Sequence, residues 1–160
     1  MDGGMKTPVL ALVFVCGILA GFGIHALAFT TPSDSGEIAI YTKDAPEPIG
    51  PYSQAMLCGD YLFLSGQIGL DPATGTLSDT VAGETGQAME NLRAVLHQVG
   101  LDFSDVVQTR IYLTDLADFD TVNTVYAEYL QEPYPARAAV EVAGLPKGAR
   151  VEIEMIAKAW

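Results

Sequence analysis

The sequence predicts an α+β layer fold: a mixed sheet with two helices stacked on one face. Three observations carry this. Two segments, about 81–98 and 118–129, repeat apolar residues at three- and four-residue steps, the period of a helix lying on a core. In the C-terminal run "RVEIEMIAKAW", Val151, Ile153, Met155 and Ala157 alternate with Arg150, Glu152, Glu154 and Lys158, the period of a half-buried strand. Further strand signals precede and separate the helices, giving the order β-β-β-α-β-α-β-β.

Each element has its own warrant. "EIAIYT" (37–42) is a short strand ended by the proline-rich "DAPEPIGPY". "QAMLCGDYLFLSGQI" (54–68) reads as a hairpin with Gly59-Asp60 as its turn and Tyr61 to Ser65 as its second arm. "DPATG" (71–75) is a turn. The first helix carries the stripe Ala88, Met89, Leu92, Val95, Leu96 and Val99, and Gly100 stops it. "DVVQTRIYLT" (105–114) is a strand. Asp118 is placed to cap the second helix, whose stripe is Phe119, Val122, Val125, Tyr126 and Tyr129, with Pro133 and Pro135 ending it. "RAAVEVA" and the final alternating run make the last two strands, joined by a turn around "GLPKGA". The sheet's second face mixes Tyr, Ser, Gln and Glu with apolar residues, which suits contact with other subunits.

The chain of 160 residues carries 20 Asp and Glu against 8 Lys and Arg, a net charge of −12 with a pI near 4.2. Such a field repels phosphate backbones and sets the chain against nucleic-acid binding. Two cysteines, Cys16 and Cys58, are too few for a disulfide framework. His25 and His97 are the only histidines, and His25 lies in an apolar run, so no histidine-built zinc site is expected. The spacing contains no phosphate-binding glycine loop and no nucleophile elbow.

That apolar run, Val9 to Phe29, has no fixed charge and follows Lys6. Ala26-Leu27-Ala28 offers small residues for cleavage after Ala28, so residues 1–28 read as a signal peptide, or as an N-terminal membrane anchor if uncleaved. Residues 29–36 read as a linker and 37–160 as the folded domain, which is then expected to work outside the cytoplasm, periplasmic or secreted.

Three features could carry chemistry. Arg137, in "PARAAVEV", a run that otherwise reads as a buried strand, is either a strand-end arginine pairing with Glu141 or a neighbouring acid, or a clamp for a carboxylate, since a guanidinium presents a planar fork of donors and stays charged when partly buried. Glu152 and Glu154 share one side of a strand, either as a solvated Glu-x-Glu face, the commoner fate of such pairs, or with one of them desolvated as a general acid/base, and spacing does not choose between them. "GPYSQ" (50–54) and "LSGQI" (64–68) set tight backbone beside two hydroxyls, Tyr52 and Ser65, readable as a site or as packing. Asn123 lies on the helix face away from Phe119 and Val122 and reads as a polar contact or plain surface, and His97 as surface.

Taken together, "APEPIGPYSQA", "FLSGQIGLDPATG", "NLRAVLHQVG", "DFDTVNTVYAEYL" and "PARAAVEVAGLPKGARVEIEMIA" resemble the Rid family of reactive-intermediate deaminases, the YjgF-like proteins, in order and over residues 45–158. The resemblance implies a chorismate-mutase-like subunit and a homotrimer whose sheets form an internal barrel with clefts at the subunit seams. It implies hydrolysis of 2-imino acids and their enamine tautomers to 2-oxo acids and ammonia, with no cofactor and no metal. By motif position Arg137 matches the arginine that grips the substrate carboxylate, and Glu152, not Glu154, the glutamate that activates water. Tyr52, Ser65 and Asn123 match polar residues lining the cleft, some reaching in from the adjacent subunit. Two departures stand out. Ala139 occupies a position where many members carry cysteine, and the N-terminal segment would remove the protein from cytosolic imine sources. A non-catalytic trimer that binds small carboxylates is the alternative, and the ribonuclease activity attributed to some members fits poorly with the acidity.

Overall fold

The computed structural model describes residues 36–159. The segment read as signal peptide or anchor, residues 1–28, lies outside them. Among the described residues no helix is long and apolar enough to cross a membrane.

Six strands form one sheet: β1 (Ile38–Ile40), β2 (Ala55–Cys58), β3 (Tyr61–Ile68), β4 (Val106–Leu113), β5 (Ala136–Glu141) and β6 (Val151–Lys158). Two helices, α1 (Val81–Gln98) and α2 (Phe119–Ala127), cover one face. The strand order is β1-β2-β3-β6-β4-β5. Every neighbouring pair is antiparallel except β4 with β5. That parallel pair is joined through α2, because parallel neighbours need a crossover.

Alternation along the strands builds the core. Leu62 and Leu64 of β3, Ile111 and Leu113 of β4, and Val151, Ile153, Met155 and Ala157 of β6 are buried. They meet Ala88, Met89, Leu92, Val95 and Leu96 of α1, with Val122 and Tyr126 of α2. Each large aliphatic side chain so buried contributes about 1.5–3 kcal/mol relative to exposure. The Thr80 hydroxyl accepts from the Gly83 N–H to start α1, and Gly100, at φ +76°, stops it.

Three expectations shift. The hairpin's second arm continues past Ser65 to Ile68. Asp118 precedes α2 but its side chain caps nothing; Asp115 instead accepts from the Ala117 N–H and caps a 3-10 turn, Leu116–Asp118, that leads into the helix. Asp118 has helical backbone angles (φ −82°, ψ −5°) rather than the extended ones of a capping residue, which leaves its side chain no capping role there. The strand around Arg137 reads as buried in sequence, yet β5 is the sheet's edge and Ala136, Arg137, Ala138, Val140 and Glu141 are all exposed.

The opposite face of the sheet carries exposed Tyr61, Phe63, Val107 and Val140 beside part-buried Glu152 and Glu154. This is the mixture that suits subunit contact.

Candidate active site

Glu152 is the second residue of β6, flanked by the core residues Val151 and Ile153, so its side chain leaves the sheet on the face away from the helices. Its cross-strand partners are Ile68 of β3 and Tyr112 of β4. Between Leu64 and Gln67 the β3–β6 register shifts, which sets Ser65 and Gly66 in a bulge beside it. A Cβ on Gly66 would stand 1.9 Å from Glu152 Oε1 and 2.8 Å from its Cδ. The glycine therefore makes the space that the carboxylate fills.

The wall opposite comes from the proline-rich segment. The Ser65 hydroxyl donates to the Ser53 carbonyl (2.6 Å). The Tyr52 hydroxyl oxygen accepts from the Ile49 N–H (3.2 Å), which leaves its proton to donate elsewhere. Buried Gln54 accepts from the Thr42 N–H (2.7 Å) and donates to the carbonyls of Thr42 (3.0 Å) and Pro46 (3.0 Å). Asn91 of α1 donates to the carbonyls of Ile68 (3.1 Å) and Leu70 (2.9 Å), fixing the end of β3. The result is a cleft of about 350 Å³ lined by Tyr52, Ser65, Gly66, Lys147, Glu152 and Glu154, among others. Burial raises the Glu152 carboxyl above the usual carboxylate range, and the neighbouring Glu154 charge adds to the rise.

Arg137 and Asn123 form a second group. Arg137 pairs in register with buried Thr109 of β4, which puts it on the helix-ward side of the edge strand. Its Nη1 donates to Asn123 Oδ1 (2.7 Å). Its guanidinium carbon lies 5.1 Å from the Tyr126 ring centroid and 5.7 Å from that of Phe119, within reach of cation–π attraction. The Tyr126 hydroxyl donates to Thr109 Oγ1 (3.1 Å) and locks that ring in place. Among the described residues Arg137 makes no ion pair. The Glu141 partner considered for it is engaged elsewhere, accepting from the Leu116 N–H (3.0 Å). Asn123 is also corrected: it follows Phe119 by four residues, and that spacing puts the two on one side of α2 rather than on opposite ones.

Of the five candidate residues, then, Tyr52, Ser65 and Glu152 share the cleft, while Arg137 and Asn123 meet each other and do not line it. Among the described residues no group of three His, Cys, Asp or Glu side chains could hold a metal ion.

Residues 42–159 match the family described as Endoribonuclease L-PSP. The chain belongs to this family. Rid-family proteins are among its structural relatives. The chain is 45% identical to RidA from the Antarctic bacterium Psychrobacter sp. PAMC 21119, with a TM-score of 0.74 over 76% of this chain and 98% of that one. It is 40% identical to Escherichia coli TdcF, solved with bound serine, with a TM-score of 0.73 over 76% of this chain and 98% of that one. It is 50% identical over 119 residues to the human protein named 2-iminobutanoate/2-iminopropanoate deaminase, covering 74% of this chain and 87% of the relative.

Several features of the cleft are not announced by the sequence motifs. Gln54 and Asn91 hold the cleft walls through carbonyls distant in sequence, a role that no local pattern announces. Lys147 adopts φ +60° and, among the described residues, is the one lysine or arginine lining the cleft. "PKG", with a second left-handed residue at Gly148, is the signal for that turn.

Proposed function

We propose that this protein hydrolyses the C=N bond of small 2-imino acids, giving 2-oxo acids and ammonia, at sites shared between neighbouring subunits of a homotrimer. The observation that carries the reading is the desolvated Glu152 carboxyl, set by Gly66 and Ser65 into a cleft that holds a substrate-sized volume. The 50% identity to a human protein named for 2-iminobutanoate and 2-iminopropanoate supports the substrate class. TdcF with bound serine supports it too, since serine carries the same carboxylate and a nitrogen on the adjacent carbon.

In this reading Arg137, steadied by Asn123 and the rings beneath it, grips the substrate carboxylate with its remaining N–H donors. Its partner subunit presents the cleft with Tyr52, Ser65 and Glu152. Glu152 takes a proton from water as the oxygen bonds to the imine carbon. It passes that proton to the nitrogen to give the carbinolamine, then moves the carbinolamine's hydroxyl proton to the nitrogen as the C–N bond breaks, so that the carbonyl forms and ammonia leaves. Imine hydrolysis is intrinsically easy, so orientation and one proton shuttle suffice. Ala139 lacks a thiol, and no step uses one.

The family's ribonuclease description is disfavoured for this chain by a net charge of −12 and by the carboxylates of Glu47, Glu152 and Glu154 lining the cleft. A coupled assay tests the proposal: 2-iminobutanoate is generated in situ and semicarbazide traps what remains. Diversion of the imine to 2-oxobutanoate is expected. No diversion, with small carboxylates still bound, would replace the enzyme by a binding protein.

A further inference from the structure

Glu154 is two residues from Glu152 on the same strand, leaves the same face of the sheet and lines the same cleft. Two carboxylates so placed repel, and a cleft that must hold one of them ionised needs the other managed. β4 supplies the means. Its register sets Arg110 across from Glu154 and Tyr112 across from Glu152, adjacent rungs of one ladder on one face. Arg110 Nη1 forms an ion pair with Glu154 Oε1.

We propose that Arg110 is a positioning residue for the reaction: by holding and neutralising Glu154, it keeps a like charge from suppressing ionisation of Glu152. The inference rests on the reading of Glu152 as the base, and adds a residue that does not touch substrate. The other groups facing Glu152 cannot take the role. Tyr112 is held above the usual phenol range, by burial first and by Glu154 next, and so stays neutral while Glu152 titrates. β3 offers only the Ser65 hydroxyl and the Gly66 backbone. From the cleft's loops come Tyr52, Glu47 and Lys147; Glu47 accepts a hydrogen bond from Tyr41, and Lys147 makes no ion pair among the described residues. Arg110 is thus the one cation bound to the charge next to Glu152. As a half-exposed pair it contributes little to stability. Its effect is on the neighbouring proton.

The test follows the Glu152 side-chain carboxyl by carbon NMR through a pH titration of the full-length protein. The forms compared are wild type, Arg110→Met, Arg110→Lys, Glu154→Gln and the Arg110→Met/Glu154→Gln double variant. Arg110→Met is expected to move the Glu152 midpoint up by roughly 0.5–1 pH unit. Arg110→Lys should hold it near the wild-type value, and Glu154→Gln should move it down. With Glu154 already replaced, the exposed guanidinium is no longer held beside Glu152, so Arg110→Met should shift the midpoint less than half as far. An unchanged midpoint in Arg110→Met overturns the proposal, and so does an equal shift in the Glu154→Gln background. Should Arg110→Met fail to fold, an unmoved midpoint in Glu154→Gln alone overturns it. Because the titration is read without turnover, a Glu152→Gln variant that kept full activity would sink the catalytic reading separately.

Discussion

Arg137 and Glu152 project from opposite faces of one sheet, on strands separated by β4. Glu152 lies across from Tyr112, and Arg137 beside Thr109, which points into the core. A single subunit therefore cannot close both on a molecule with only a few atoms between carboxylate and imine carbon. The two halves come together if the edge strand of one subunit meets the outer sheet face of the next. The exposed Tyr61, Phe63, Val107 and Val140 on that face supply apolar area for such a contact.

Removing the clamp should act on substrate binding and on the reaction alike. Arg137→Ala is expected to lower kcat/KM by about 10- to 100-fold, the range for a lost charge-assisted pair. Asn123→Ala should cost less, because Tyr126 and Phe119 still support the guanidinium from below. Steady-state kinetics on both variants check the order, and an Asn123→Ala loss exceeding that of Arg137→Ala contradicts it.

The pH dependence follows from Glu152. Its folded carboxyl is raised, mainly by burial, so the folded chain holds a proton that the unfolded chain has released. Stability contributed by that group is present below the unfolded value and lost as pH rises through the folded one. Glu152→Gln should therefore raise Tm at neutral pH and change it little in acid, while lowering kcat by about 10²- to 10⁴-fold. The acid limb of the wild-type kcat/KM profile should fall above the ordinary carboxylate range. Thermal melts and rate profiles across pH 3–9, roughly the span of carboxyl and histidine titration, read both.

Gly66→Ala separates packing from function. The atom that must move is the end of a flexible side chain, not backbone, so the fold should survive while the Glu152 carboxylate is displaced. Activity should drop at least about 10-fold with far-ultraviolet circular dichroism unchanged. Full activity in this variant would show that the carboxylate position is not what matters.

Much of this was legible in the sequence because it is periodic. The α1 boundaries, the β6 alternation and the Gly59-Asp60 hairpin all follow from local patterns that the tertiary structure reinforces. The candidate site could be proposed only through motif resemblance, since one Arg and two Glu on strands have common structural explanations. What local pattern could not carry were relations between distant segments: Gln54 reaching Thr42 and Pro46, Asn91 reaching Ile68 and Leu70, and the edge position of β5 that exposes Arg137. Register across β6, β4 and β5 decides which face each residue takes, and register is a property of the assembled sheet.

Mixed trimers test the shared site most directly. Arg137→Ala and Glu152→Gln subunits, each weakly active alone, are unfolded together in equal amounts and refolded. If each site takes Arg137 from one subunit and Glu152 from its neighbour, random mixing in a closed ring makes about one seam in four complete. Recovery of about a quarter of wild-type activity is expected on that count. Recovery no greater than the sum of the two parents would contradict the shared site.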